Sequence, residues 1–341
     1  MEKTNASEMS SSTPETMESS ASDLLKISNL SVSFTIEKFQ ILALNKVNLS
    51  LGESTRGGLG IVGESGSGKT TLGLSILNLI EAPGKVTNGS IEYMGKNILD
   101  FGEADLRKYR WKQVSMVHQS AMNSLNPVKT IINPIVEILR YHAKMPKDEA
   151  QKRAIQLLSE VGIKPERVFS YPHELSGGMK QRVSIALALA LSPKILIADE
   201  PTSALDVLTQ LQILALIRKE IRDRGLYLIF ITHEISLLSG LVDNIAVMYA
   251  GDIVELGRVK DVLSNPQHPY TEMLIGTLVT FHSKSSVYLS RTDAKEVPTT
   301  IPSRGCRYAN RCKYAFERCM TEEPLLKMTK EGREVACHKY N

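Results

Sequence analysis

Eight consecutive residues, Gly63 to Thr70 (GESGSGKT), constrain this chain more than any other stretch of it. They fit the pattern G-x-x-x-x-G-K-[ST] and lie between a short apolar run, Leu59 to Val62, and a segment whose Leu72, Ile76, Leu79 and Ile80 share one helical face. A strand, a glycine-rich turn and a helix in that order make a phosphate-binding loop. Gly63, Gly66 and Gly68 allow the tight turn that aims backbone N–H groups inward, and the helix that follows presents its positive end to the same anion. Lys69 is placed to reach the β and γ phosphates, and the Thr70 hydroxyl to ligate Mg²⁺. Glu64, Ser65, Ser67 and Thr71 complete the candidate nucleotide-binding set. A nucleophile elbow, G-x-S-x-G, does not fit, because Ser67 stands where its last glycine is required.

With 341 residues and 42% hydrophobic content, the chain has room for two domains or for one large domain with an appendage. Its 41 Lys and Arg against 37 Asp and Glu leave a net charge of only +4, with no dense basic block, so nothing points to a nucleic-acid partner. The longest apolar runs, Ile185 to Leu191 and Leu226 to Ile231, fall far short of the roughly 20 residues that span a bilayer. Any membrane role is therefore borrowed from a partner. Met1 to Asp23, rich in Ser, Thr and Glu, lacks the apolar core of a signal peptide and reads as a disordered tail.

From Leu24 to Leu51, alternating apolar residues predict antiparallel strands feeding into the phosphate loop, with Ser90 to Tyr93 in the same sheet. Phe34 ends one of these strands and is either the aromatic that stacks on adenine or a plain core phenylalanine. Between Ile131 and Ile163 the period becomes helical. Ser184 to Ser192 alternates like a strand, but its alanines and the absence of a turn signal favour helix. Two wholly apolar runs follow, Ile195 to Ala198 and Leu226 to Ile231, separated by a helix carrying Leu211, Leu214, Ile217 and Ile221. Strands buried on both faces read this way, so the centre is a parallel sheet in a layered α/β domain. Both runs end in polar residues, Asp199-Glu200 and Thr232-His233-Glu234, at the strand ends where parallel sheets bind ligands. Asp199 would hold Mg²⁺ through its water shell, and Glu200 would orient or deprotonate an attacking water.

At Leu175 to Arg182 (LSGGMKQR) the chain resembles the ATPase subunits of ABC transporters, and the resemblance runs from Leu24 to Thr280. It implies a P-loop NTPase cassette over residues 24–265: a RecA-like parallel sheet core, an antiparallel β subdomain and a helical subdomain at about 120–182. It also implies that Ser176, Gly177 and Gly178 grip the γ phosphate of ATP bound to a partner cassette, at a helix start. Gln119 matches the Q-loop residue, which touches Mg²⁺ and the segment that meets the membrane subunits; Ser203 to Asp206 matches the D-loop and His233 the switch histidine. The site is then completed only by a second cassette, with ATP as the glue. Within the family, SLNP at Ser124 to Pro127, YPHELSGGM at Tyr171 to Met179, IADEPTSALDV at Ile197 to Val207, MYAGDIVELG at Met248 to Gly257 and HPYT at His268 to Thr271 resemble the D-type subunit of dipeptide and oligopeptide importers. The strand before the phosphate loop departs from the pattern by a few extra residues at Ser54 to Gly58.

That resemblance implies a heterodimer with an F-type ATPase, two membrane permease subunits, an extracytoplasmic substrate-binding protein, and a peripheral place on the cytoplasmic side of the cell membrane. Oligosaccharide cargo, a soluble ABC ATPase outside transport, and a metal-dependent sensor are the rival readings. After a helix and linker at 266–300, all four cysteines lie in a small module at 301–341: Cys306, Cys312, Cys319 and Cys337. Four thiolates suit zinc or a [4Fe-4S] cluster. The absence of a C-x-x-C pair weakens the zinc ribbon, and the family resemblance favours iron and sulfur; buried unliganded cysteines are the remaining alternative.

Overall fold

A computed structural model describes residues 23–55, 57–119, 125–282 and 304–340. The tail expected over Met1 to Asp23 and the linker expected over Phe281 to Thr300 fall almost wholly outside them. So does Ser124 of the SLNP motif. Strands β1 (Leu25–Ile36) and β2 (Phe39–Leu51) form a long antiparallel hairpin, followed by β3 (Leu59–Val62) and α1 (Lys69–Ile76). Next come β4 (Gly84–Tyr93), β5 (Lys96–Asn97), α2 (Glu103–Tyr109) and β6 (Val114–Val117). Among the described residues α3 (Ile132–Ala143), α4 (Lys147–Glu160) and α5 (Gly177–Leu189) follow. The second half alternates β7 (Ile195–Asp199), α6 (Val207–Arg224) and β8 (Tyr227–Thr232), then the hairpin β9 (Asn244–Tyr249) and β10 (Asp252–Arg258). Helices α7 (Val259–Ser264), α8 (Pro269–His282) and α9 (Glu317–Thr321) and the short strands β11 (Lys327–Met328) and β12 (Glu334–Val335) close the described chain.

Among the described residues the strands form two sheets, a four-stranded one ordered β2-β1-β4-β5 and an eight-stranded one ordered β11-β12-β10-β9-β3-β8-β7-β6. Strands β9, β3, β8, β7 and β6 run parallel, as the apolar runs predict, and every residue of β3 and β7 is buried. Burying one such Ile or Leu contributes about 1.5–3 kcal/mol, so this five-strand centre is the rigid part of the molecule. The antiparallel layer packs on one face of it through Leu25, Ile27, Leu30 and Leu44, which join Ile61, Ile197 and Ile231 in a single core. On the other face, α3, α4 and α5 bury Ile135, Leu139, Ala154, Leu157, Leu158 and Ile185.

Three sequence expectations are adjusted by packing. The stretch from Ser184 is helical as favoured, but α5 stops at Leu189. In α6 the buried positions are Ile213, Leu216, Ile217 and Glu220, while Leu211 is exposed, so the inward face is turned from the one expected. Glu220 shifts that face because it can be buried against Arg224, whose Nε donates to it at 2.7 Å. The third concerns the C-terminal residues, expected as a small module after a linker. β12 pairs antiparallel with β10, placing Glu255 opposite Val335, and so extends the main sheet. Glu255 is fully buried and accepts from the N–H groups of Gln267 and His268 and from Arg333 Nη1. No helix among the described residues is long and apolar enough to cross a membrane.

Candidate functional site at the carboxyl ends of the parallel strands

The sheet order β3-β8-β7-β6 sets four strand ends side by side, and each delivers candidate residues. From β3 the chain enters the phosphate loop. A Cβ on Gly63 would meet the Met248 carbonyl and lie 2.6 Å from Ser67 Oγ, so only glycine lets β3 pass this close to β9. Gly66 and Gly68 are needed for another reason: their φ values of +79° and +99° belong to the left-handed region. Gly68 caps α1 without a side-chain hydrogen bond, which leaves the first N–H groups of the helix for a ligand. Lys69 lies folded under the loop, its Nζ donating to the carbonyls of Gly63 at 2.7 Å and Glu64 at 2.8 Å. Burial lowers its pKa, and Glu200, Asp199 and Glu64 oppose that shift. Ser65, Gly66 and Thr70 are exposed at the rim, and Thr71 is half-buried.

Asp199 ends β7 almost fully buried, with Oδ1 lacking any hydrogen-bond partner among the described residues. Burial raises its pKa, and a hydrogen bond from the Thr70 side chain acts the other way. An orphaned carboxylate oxygen beside a hydroxyl and an ammonium fits a hard cation with oxygen ligands. Thr70 and Asp199 are the two expected Mg²⁺ ligands brought together here. Gln119, the third expected ligand, is engaged elsewhere: its Nε2 donates to Glu200 Oε2 at 2.9 Å. The other oxygen of Glu200 is 3.1 Å from His233 Nδ1. Glu200 holds a left-handed backbone, φ +45°, of the kind that costs a non-glycine residue roughly 1–3 kcal/mol. Its N–H donates to the Ile231 carbonyl at 2.9 Å and its own carbonyl accepts from Ser203, which keeps the carboxylate turned towards Gln119 and His233. Three adjacent strand ends thereby join Gln119, Glu200 and His233 in one hydrogen-bonded group.

Ser176 stands apart from that group. It is exposed and caps α5, its hydroxyl accepting from Met179 N–H at 3.3 Å, while Gly177 and Gly178 open the first turn. A Cβ on Gly178 would lie 2.5 Å from Thr209 Cγ2, so the starts of α5 and α6 touch there. Asp206 caps α6 by accepting from Thr209 N–H at 3.0 Å. Phe34 is half-buried in the core beneath the antiparallel sheet, its ring over Gly84. Phe39, 70% exposed, is not singled out by the sequence. It lies on edge strand β2, whose Ala43 carbonyl is 2.5 Å from the Cβ position of Gly68, and is the free aromatic surface on that strand. The alternation of β2, with Phe39, Ile41 and Ala43 on one face, is the signal that could have found it.

Cys306, Cys312, Cys319 and Cys337 line one pocket with Tyr308 and His268, and none forms a disulfide. Yet no group of three or more His, Cys, Asp or Glu among the described residues is arranged to hold a metal ion. The expected four-thiolate iron–sulfur or zinc centre is therefore not supported as a formed ligand set. Burial pushes the Cys306 thiol up to about 11 and raises Cys312 and Cys337 as well.

With this geometry in place, comparison with known proteins decides the family. A profile described as ABC transporter matches residues 32–203, and one described as Oligopeptide/dipeptide transporter, C-terminal region, matches residues 254–319. The chain belongs to the ABC transporter ATPases. It is 42% identical over 324 residues to the oligopeptide transport ATP-binding protein AppD of Bacillus subtilis (strain 168), covering 94% of this chain and 97% of that one. Against the dipeptide transport ATP-binding protein DppD of Escherichia coli (strain K12) the identity is 39% over 322 residues, covering 92% and 96%. An ATP-binding cassette solved as a dimer in a post-hydrolysis state bound to ADP and Pi superposes with a TM-score of 0.60 at 30% identity, over 69% of this chain and 98% of that one. The cbiO1 subunit from Clostridium perfringens gives 0.62 at 28%, over 71% and 91%. As a member of this family the chain is an ATP-hydrolysing subunit of a transporter.

Proposed function

We propose that this ABC ATPase powers the import of dipeptides or oligopeptides through membrane subunits to which it binds on the cytoplasmic side. The single observation carrying the cargo class is the match of residues 254–319 to the oligopeptide/dipeptide transporter C-terminal region, on a chain about 40% identical to peptide-transport ATPases along nearly its whole length. The most similar relatives compared are named for peptides, so oligosaccharide cargo is not favoured. Residues 24–265 act as the cassette, with helical residues at about 120–182 facing the permeases, and 301–341 as the C-terminal module. Two permease subunits, an F-type second ATPase and an extracytoplasmic binding protein complete the assembly in this reading.

Gly63 to Thr71 cradle the triphosphate, with Lys69 swinging from the Gly63 and Glu64 carbonyls to its β and γ groups. Thr70, Asp199 and Gln119 would hold Mg²⁺, which supplies charge neutralisation to the phosphates. Glu200 takes the proton of the attacking water, held for that task by Gln119 and His233. Ser176, exposed on this chain, and the half-buried Gly177 and Gly178 serve the nucleotide of the partner cassette, and their counterparts serve this one. Phe39 supplies the face for adenine in preference to Phe34, whose ring is already packed. Affinity capture from solubilised membranes, followed by uptake competition among dipeptides, longer peptides and oligosaccharides, tests the reading. Competition by sugars alone, or capture without membrane subunits, refutes it.

The pocket shared by Cys306, Cys312, Cys319 and Cys337 favours one further assignment, a structural or redox-sensing site for a [4Fe-4S] cluster or zinc. Elemental analysis of protein purified without oxygen, with and without Cys306→Ser, tests that assignment. Less than a tenth of an equivalent of iron or zinc in the unsubstituted protein defeats it.

A further inference from the structure

Glu64 is an anomaly within an anion site. It adds a carboxylate to a loop that is read as receiving a triphosphate, and like charges at short range cost binding energy. The structure gives that carboxylate a dedicated partner from 247 residues away: Arg311 Nη1 donates to Oε2 at 2.8 Å and Nη2 to Oε1 at 2.9 Å, a bidentate fork. The guanidinium is itself fixed, with its central carbon 5.6 Å from the Tyr249 ring and 5.8 Å from the Tyr308 ring. These rings pack on each other and on Tyr270, at centroid distances of 4.7 to 5.5 Å. The Tyr270 hydroxyl in turn accepts the Glu64 N–H at 2.8 Å, so backbone and side chain of this one loop residue are both held by residues beyond β10. A second brace runs parallel. Gly251 N–H donates to the Ser67 carbonyl at 3.0 Å, and Arg307 holds the same turn through the Ala250 carbonyl and Asp252.

We propose that Arg311 is a positioning residue for ATP binding: it neutralises Glu64 and draws its carboxylate out of the path of the phosphates, so the C-terminal segment sets how well the loop accepts a triphosphate. The proposal rests on the nucleotide reading of Gly63 to Thr70. It extends that reading by making the cysteine-bearing segment part of the ATP site's electrostatics, since Tyr308 touches Arg311 on one side and lines the cysteine pocket on the other. A salt bridge that merely stabilised the fold would show no dependence on ligand charge and no rescue by removing the opposing carboxylate.

The test is titration of the full-length protein with MgATP and MgADP, with melting temperature measured alongside. Arg311→Met is expected to weaken ATP about tenfold, the scale of one charge-assisted contact, and ADP by less. Adding Glu64→Gln to that variant is expected to recover most of the loss, and Arg311→Lys, which keeps the charge without the fork, to fall between wild type and Arg311→Met. In the assembled transporter the loss is expected in KM for ATP, with kcat changed less than about twofold. Wild-type ATP affinity in Arg311→Met overturns the proposal, as does a folded double variant that binds as weakly as Arg311→Met. Should Arg311→Met fail to fold, unchanged affinity in Arg311→Lys overturns it equally. Lys69→Ala separates the two levels: if ATP binding survives that single change in an otherwise wild-type chain undiminished, the loop reading fails rather than the role of Arg311.

Discussion

Replacing Glu200 by glutamine is the most informative single change, because the geometry predicts what it leaves untouched. Glu200 accepts from Gln119 Nε2 at 2.9 Å through one oxygen and meets His233 Nδ1 at 3.1 Å through the other. A glutamine of the same shape keeps its Oε1 on Gln119 and turns its Nε2 to donate to an unprotonated Nδ1 of His233. Its backbone carries the same φ of +45° at the same cost, so stability changes by no more than about 1 kcal/mol, one neutral hydrogen bond exchanged for a charged one. The phosphate loop is not touched. What disappears, on the proposed mechanism, is the base. Loss of a positioned general base costs roughly 10²- to 10⁴-fold, or about 3–5 kcal/mol in the barrier. Phosphate release by the assembled transporter, read beside equilibrium ATP binding, is the assay. Affinity close to wild type with turnover reduced at least about a hundredfold is expected. Turnover within about threefold of wild type refutes the role of Glu200, and equal losses in binding and turnover would move it from proton transfer to ligand contact.

Three further outcomes follow from the same coordinates. Gly68→Ala forces a side chain into φ +99° with its Cβ 2.5 Å from the Ala43 carbonyl, so ATP affinity should fall at least about tenfold, with a melting temperature lower by several degrees. His268 is buried and its Nδ1 accepts the Tyr270 N–H at 3.0 Å, so protonation would set two donors against each other; burial holds its pKa down to about 3. The unfolded chain takes up that proton near pH 6.5, so stability is complete above that pH and is lost as pH falls towards 3. The loss amounts to about 2 kcal/mol by pH 5, and chemical unfolding of wild type and His268→Gln at both pH values should show a shallower drop in the variant. Arg333→Met leaves the fully buried Glu255 carboxylate without its cation and should cost about 3–5 kcal/mol, read as a lower denaturant midpoint, whereas a double change with Glu255→Gln should cost less than the two single effects added.

The parts of the site legible in the sequence are those whose chemistry is written in neighbouring residues. Gly63 to Thr70 and Asp199-Glu200 each combine strand, turn and ligand within a few positions, so local spacing suffices. His233 and Gln119 needed the family's order to stand out, and the structure adds the reason they meet: β6, β7 and β8 are adjacent strands, so residues just past their ends become neighbours. Strand alternation does not say which face another layer will cover, so it does not report that Phe34 is packed and Phe39 free. The turned face of α6 has a similar cause: periodicity treats Glu220 as polar and outward, whereas Arg224 makes its burial tolerable. Strands β11 and β12 have two residues each and leave no periodic trace. The Arg311–Glu64 pair joins residues 247 positions apart and depends on the chain returning, after β10, to the phosphate loop.

That last dependence divides the labour across the sheet. On one side of β3, the turn after β9 holds Ser67 through Gly251, and Tyr270 and Arg311 hold Glu64, so this half governs the shape and charge of the loop that receives phosphate. On the other side, β8, β7 and β6 present His233, Glu200 and Gln119, the group able to handle a water and its proton. β3 lies between the halves, fully buried, and joins them through the rigid centre of the sheet. Perturbations beyond β10 should therefore appear in ATP affinity and those at the ends of β6, β7 and β8 in turnover. The two sets should combine additively in free energy, because no hydrogen bond or ion pair among the described residues links Arg311 or Tyr270 to Glu200, Gln119 or His233. Coupling above about 1 kcal/mol between Arg311→Lys and Glu200→Gln would mean that the loop itself carries the signal, with Lys69, whose Nζ bonds the Glu64 carbonyl and whose charge acts on Glu200, as the residue in common.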